Sequence, residues 1–183
     1  MKEFPRRRNS ERRFSWLCEK GYLRLAQYYY RDHPSLDLHA DQEEAFRSSC
    51  RYDHFEVAQW LWSLDGRIDL HAHQEHAFRS SCDNGHLEMA KWLWSLDGRI
   101  DLHANQEEAF RYSCRKGHFE IVKWLWSLNG RIDLHATQED AFRSSCEKGH
   151  LPVAQWLLSL DSTFNLVIDN LPLTVKEWMK TLT

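Results

Sequence analysis

Phe14 returns as Phe46, Phe78, Phe110 and Phe142, and Cys18 returns as Cys50, Cys82, Cys114 and Cys146. Asp-Leu-His-Ala begins at Asp37, Asp69, Asp101 and Asp133. Every interval is 32 residues, with no insertion between copies. A fixed period of about 20 to 50 residues marks an array of supersecondary units that bury their apolar sides against one another. A single globule closed around one catalytic cleft gives no reason for such a register. The chain therefore divides into a basic segment 1–13, five copies (14–45, 46–77, 78–109, 110–141 and 142–168) and a terminal segment 169–183.

Within a copy, helical periodicity appears twice. Ala109, Phe110, Ser113 and Cys114 fall on one side of a helical wheel. Asn105 is placed as an N-cap with Glu108 at the capping-box spacing, a pattern repeated by Asp41 with Glu44 and Thr137 with Asp140 but not by His73 with His76. Glu107 and Arg111 have the order that favours an intrahelical ion pair. Gly117 ends this first helix, as Gly21, Gly85 and Gly149 do, and Asp53 stands at that position once; a left-handed residue is expected there.

The second helix, Phe119 to Leu128, is apolar round most of its circumference, with Glu120, Lys123 and Ser127 on a narrow polar strip. Such a helix must be covered on several sides, by its partner and by neighbouring copies. Trp60, Trp92, Trp124 and Trp156 lie at the edge of its apolar sector and read as core. After a turn at Asn129-Gly130, Arg131 to His135 reads as an extended connector with Ile132 and Leu134 alternating in the strand manner. The last copy departs from the pattern, and Pro172 fits the first turn of a capping helix, Leu173 to Leu182.

The net charge of −3 is unevenly spread. Residues 1–13 hold Lys2, Arg6, Arg7, Arg8, Arg12 and Arg13 against Glu3 and Glu11, which leaves 18 basic and 25 acidic side chains in the rest. The start is expected to be frayed or only partly helical; Arg6, Arg7 and Arg8 could serve nuclear import or touch nucleic acid, but the acidic array argues against nucleic acid as the main partner. No apolar run approaches the ~18 residues of a membrane span. Five cysteines at one repeat position read as buried free thiols of a reducing compartment rather than disulfides. The expectation is a monomer in the cytoplasm, or in the cytoplasm or nucleus of a host cell.

The run Gly117-His118-Phe119-Glu120-Ile121-Val122-Lys123-Trp124-Leu125 resembles the second-helix signature of ankyrin repeats, Gly-His-Leu-Glu-Val-Val-Lys-Leu-Leu, and the likeness recurs five times over residues 14–168. Where the ankyrin pattern has Thr-Pro-Leu-His, this chain has Glu108-Ala109-Phe110-Arg111, and each unit is one residue shorter than the usual 33. Arrays of this Trp-rich, Leu-His-Ala type are similar to those encoded by large DNA viruses of protists. The resemblance implies an all-α, ankyrin-like solenoid of helix-turn-helix repeats with short extended connectors. Its concave face would bind another protein, without enzymatic activity or cofactor.

Comparing the copies suggests where binding would reside. They differ at Asp41/His73/Asn105/Thr137, Glu44/His76/Glu108/Asp140, Ser48/Ser80/Tyr112/Ser144 and Arg51/Asp83/Arg115/Glu147. Those spacings share one helix face opposite Phe and Cys. The candidate partner-binding residues are Arg51, His73, His76, Asp83, Glu108, Tyr112, Arg115, Asp140 and Glu147, with Tyr112 and Arg115 as the anchor. His71, His73 and His76 occur together in one copy only and read as a local cluster, so no metal is expected. The ladder His39, His71, His103 and His135 is expected to bond connector backbone, and His54, His86, His118 and His150 to make structural bonds in the inter-helix turn. No phosphate-cradling glycine loop or strained nucleophile turn is present, and no catalytic residue is assigned.

Overall fold

A computed structural model describes residues 6–128 and 131–166. Among them the secondary structure is entirely helical: α1 (Arg6–Glu19), α2 (Leu23–Asp32), α3 (Ala40–Arg51), α4 (Phe55–Leu64), α5 (Ala72–Asp83), α6 (Leu87–Leu96), α7 (Ala104–Lys116), α8 (Phe119–Leu128), α9 (Ala136–Glu147) and α10 (Leu151–Leu160), followed by a 3₁₀ turn, Ser162–Leu166. Two compact units form, Met1–Ser81 with Glu88–Ile100, and Cys82–Leu87 with Asp101–Thr183. In the first, α1 packs on α2 and α3, and α3 on α4; in the second, α7 packs on α8 and α9, and α10 on α8, α9 and the 3₁₀ turn. Neighbours in sequence are neighbours in space, as a helical repeat requires. The first helix begins at Arg6, so the basic segment 1–13 is in part helical. The expected capping helix 173–182 and the Asn129-Gly130 turn lie outside the described residues.

The apolar columns pack as their periodicity demands. The Phe column is at most 1 % exposed in all five copies, and the Cys column at most 2 %. From α4, α6, α8 and α10 a triad such as Ile121, Val122 and Leu125 is buried, whereas α2 buries Ala26 alone. Between copies the Trp ladder closes the gaps in part: Trp60 meets Phe14 at 6.1 Å and Tyr30 at 6.0 Å, Trp92 meets Phe46 and Phe55, and Trp156 meets Phe119 and Trp126. Each of these indoles is half-buried. At the far end Phe164, which replaces Ile132, stacks on Phe142 at 4.7 Å and is fully buried.

The start of the first helix differs from the sequence expectation. Residues Asn105, Gln106 and Glu107 all adopt left-handed conformations (φ 53, 58 and 62°), and the same triplet occurs at Asp41–Glu43, His73–Glu75 and Thr137–Glu139. Asn105 therefore cannot act as an N-cap, which needs extended backbone; its side chain instead donates to Glu108 Oε2 at 2.8 Å. Each left-handed non-glycine residue costs roughly 1–2 kcal/mol, so the turn must be held from outside. The residues that hold it are the ones expected to pair along the helix. Arg111 Nε donates to Gln106 O and its Nη2 to Asn105 O, which neutralises the carbonyls the turn exposes. Arg47 does the same for Gln42 O and Asp41 O, and Arg79 for Gln74 O and His73 O. An Arg fork can span two acceptors where a point charge cannot.

Glu107 is also redirected. It is buried, and its Oε1 accepts from His103 Nδ1 at 2.7 Å and from the backbone N of Asp133 in the next copy at 3.3 Å. Glu43 repeats this with His39 and Asp69 N. The connector is correspondingly not extended: Ile68 N bonds Asp65 O and Ala72 N bonds Asp69 O, giving two successive tight turns. Ile132 and Leu134 are both buried within these turns.

Candidate functional site

The expected left-handed glycine is present (Gly117 φ 74°, Asp53 φ 59°), and φ is not the whole reason for glycine. A Cβ on Gly117 would lie 2.5 Å from His150 Nδ1, and one on Gly21 2.4 Å from His54 Nδ1, so the imidazole of the next copy rests on the glycine. From there His54 Nε2 reaches Glu19 O at 2.7 Å and His118 Nε2 reaches Asp83 O at 3.1 Å. The inter-helix histidines thus cap the preceding first helix, satisfying carbonyls that a helix end leaves open.

The second histidine ladder bonds carboxylates rather than connector backbone. His39 Nδ1 meets Glu43 Oε1 at 2.7 Å and its Nε2 meets Asp65 Oδ2 at 3.3 Å, while Asp65 is gripped by Arg67 through both oxygens. His71 repeats the bridge between Glu75 and Asp97. The hydrogen bond that His39 donates to Glu43 raises the His39 pKa above the usual 6.5, and the bond to Glu75 does so for His71. With His71 so committed, it does not combine with His73 and His76, whose rings are 6.4 Å apart. Among the described residues no group of three or more His, Cys, Asp or Glu side chains is placed to hold a metal.

All five cysteines are free and buried, and burial pushes their thiols up, Cys18 and Cys146 to about 12. Thiols held protonated are poor nucleophiles. One surface depression is lined by Arg12, Ser15, Trp16, Glu19, Asp41 and Glu44.

The positions that vary between copies do not form one uniformly exposed face. Arg51, His73, Arg115 and Glu147 are exposed, whereas His76, Asp83, Glu108, Tyr112 and Asp140 are half-buried. In the second unit Asp140 bridges Arg111 at 2.8 Å and Arg143 at 3.5 Å, and Asp83 pairs with Lys116 at 3.0 Å. Those two acids join successive first helices, α5 to α7 and α7 to α9. Tyr112 lies under the guanidinium of Arg115 (6.0 Å) and beside that of Arg111 (5.7 Å), so the two anchor residues do touch. In the first unit His76 sits in the field of Arg47, Arg79 and Arg51; burial, then these three charges, lower its pKa to about 4. Sequence reading passed over Arg47 and Arg111. Their invariance among the copies was the available signal, but it looked like helix-surface pairing. The side chains of Arg6, Arg7 and Arg8 lie outside the described set.

Among the described residues no helix is long and apolar enough to cross a membrane. No protein-family model matches the chain, and no characterised protein matches it at a significant level.

Proposed function

We propose that the chain is a non-enzymatic binding module of ankyrin type, in the Trp-rich variant, that recognises another protein across its first helices. One observation carries the reading: the backing of each first helix is nearly fully buried and invariant between copies, while Arg51, His73, Arg115 and Glu147 on the other side are exposed and differ in charge. A surface that changes while its support is fixed suits recognition, and each unit carries one, with Arg51 and His73 in the first and Arg115 and Glu147 in the second. Tyr112 with Arg115 is the anchor, a rigid aromatic under an exposed guanidinium, the pairing that dominates binding hot spots. The test compares the intact protein with Tyr112→Ala/Arg115→Glu in affinity capture from a host-cell lysate. Loss of one or more specific proteins supports the assignment, and equal recovery rejects this face.

A second reading rests on α1, which is helical from Arg6 and exposes Arg12 and Arg13. Nucleic-acid binding by this helix would weaken steeply with salt. Deleting residues 1–13 and titrating salt against DNA and RNA separates it from protein recognition.

A further inference from the structure

The copies within this chain supply their own control for an incomplete ion-pair site. Arg111 and Asp140 stand two full copies, 64 residues, beyond Arg47 and His76. In the second unit Arg111 uses Nε and Nη2 on the left-handed turn and Nη1 on Asp140 Oδ2 at 2.8 Å. In the first unit Arg47 is anchored in the same way, Nε on Gln42 O at 2.6 Å and Nη2 on Asp41 O at 3.1 Å and Glu44 Oε2 at 2.6 Å. The side chain that should meet Nη1 is His76, which has no carboxylate to offer. Its Nδ1 is buried and without a hydrogen-bond partner. Glu44 does not fill the gap, because its oxygens are taken by Arg47 Nη2 and by the Ser48 hydroxyl at 2.8 Å. Copies one, three and four carry an acid at this position, Glu44, Glu108 and Asp140; copy two alone carries a histidine.

We propose that Arg47 Nη1 and His76, with the guanidinium groups of Arg51 and Arg79 close by, form a seat for a carboxylate supplied by a partner, which takes the place beside Arg47 that Asp140 takes beside Arg111. Arg47 is 7 % exposed and held by three hydrogen bonds, so the donor is positioned before the ligand arrives. Preorganised, partly desolvated donors bind anions more strongly than mobile surface lysines do. The positive field that disfavours protonation of His76 is the field an incoming carboxylate would relieve, so binding raises the affinity of the imidazole for its proton and strengthens as pH falls. Charged groups facing His76 are Arg47, Arg79, Arg51 and Glu44, with the His73 ring adjacent.

The seat itself stands on Arg47 and His76; that a protein partner supplies the carboxylate rests on the binding-module reading. The test titrates the purified full-length protein with tri-glutamate, and separately with inorganic phosphate, following the Arg47 Nε–H and His76 ring resonances by NMR. The expected result is a saturating shift at both residues with tri-glutamate, a rise of about one unit in the His76 titration midpoint, and at least tenfold weaker binding to His76→Asp. That variant builds the missing internal pair and is expected to fold at least as stably as the parent. No shift at Arg47, undiminished binding to the variant, or an equal response to phosphate would overturn the assignment. Lysate capture by the Tyr112 and Arg115 pair concerns other residues, so its failure and the failure of this seat are read separately.

Discussion

Gly117 and Gly149 have the same backbone conformation, φ 74 and 75°, in different surroundings. A methyl group on Gly117 would lie 2.5, 2.7 and 2.9 Å from His150 Nδ1, Cγ and Cε1, whereas one on Gly149 meets nothing within 4 Å. Alanine at either site bears the left-handed penalty, about 1–2 kcal/mol. At Gly117 the imidazole must also move by about 1 Å, and forcing a side chain into a filled site costs typically ~1–3 kcal/mol more. Gly117→Ala is therefore expected to destabilise by about 2–5 kcal/mol and Gly149→Ala by about 1–2 kcal/mol. Urea unfolding followed by Trp fluorescence measures both, provided the m-value is unchanged. In a His150→Ala background the excess at Gly117 should vanish, because its cause has been removed. Equal costs at the two glycines, or an excess that survives without His150, would refute the claim that the histidine of one copy rests on the glycine of the one before.

The left-handed turn predicts that Arg111→Met costs on the order of 3 kcal/mol, since charge-assisted bonds to two carbonyls and Asp140 are lost together. Lysine should not restore them, and Arg143→Met, whose exposed side chain reaches Asp140 only at 3.5 Å, should cost under about 0.5 kcal/mol; full rescue by Arg111→Lys would contradict the clamp. Because the folded pKa of His76 lies near 4, below its ordinary 6.5, stability is present above 6.5 and is lost as pH falls toward 4. The loss, roughly 2–3 kcal/mol, should disappear in His76→Gln when stability is measured at pH 7 and pH 4.5. His39 and His71 have raised pKa values, so their contribution is present below 6.5 and is lost as pH rises through the folded values; His39→Gln/His71→Gln should flatten the alkaline side of the stability profile.

The period, the helix pairs and the buried columns were legible because burial writes itself into sequence at 3.6-residue spacing and the copies repeat it five times. The first turn of each repeat was not. Asn105 with Glu108 and Glu107 with Arg111 satisfy local rules for a capped right-handed helix, and the alternative depends on Asp133 N in the next copy, which no local window contains. His39 was misassigned for the same reason: its acidic partner Asp65 lies 26 residues on. The variable positions follow from helical spacing as the side away from Phe and Cys, but their exposure does not: Arg51 and Arg115 are exposed, Tyr112 and Asp140 half-buried. That Asp140 and Asp83 are used between successive first helices needed the spacing of those helices, and that His76 faces Arg47 needed the same information.

Deleting residues 110–141, one whole copy in register, tests most directly that the chain is built from stacked equivalent units, because Ala109 then precedes Phe142 as it precedes Phe110. The shortened protein should remain helical by circular dichroism and unfold in urea in one cooperative transition, with the m-value reduced by about one fifth in proportion to the surface removed. A chain that loses cooperative unfolding on removal of a single copy would contradict the account.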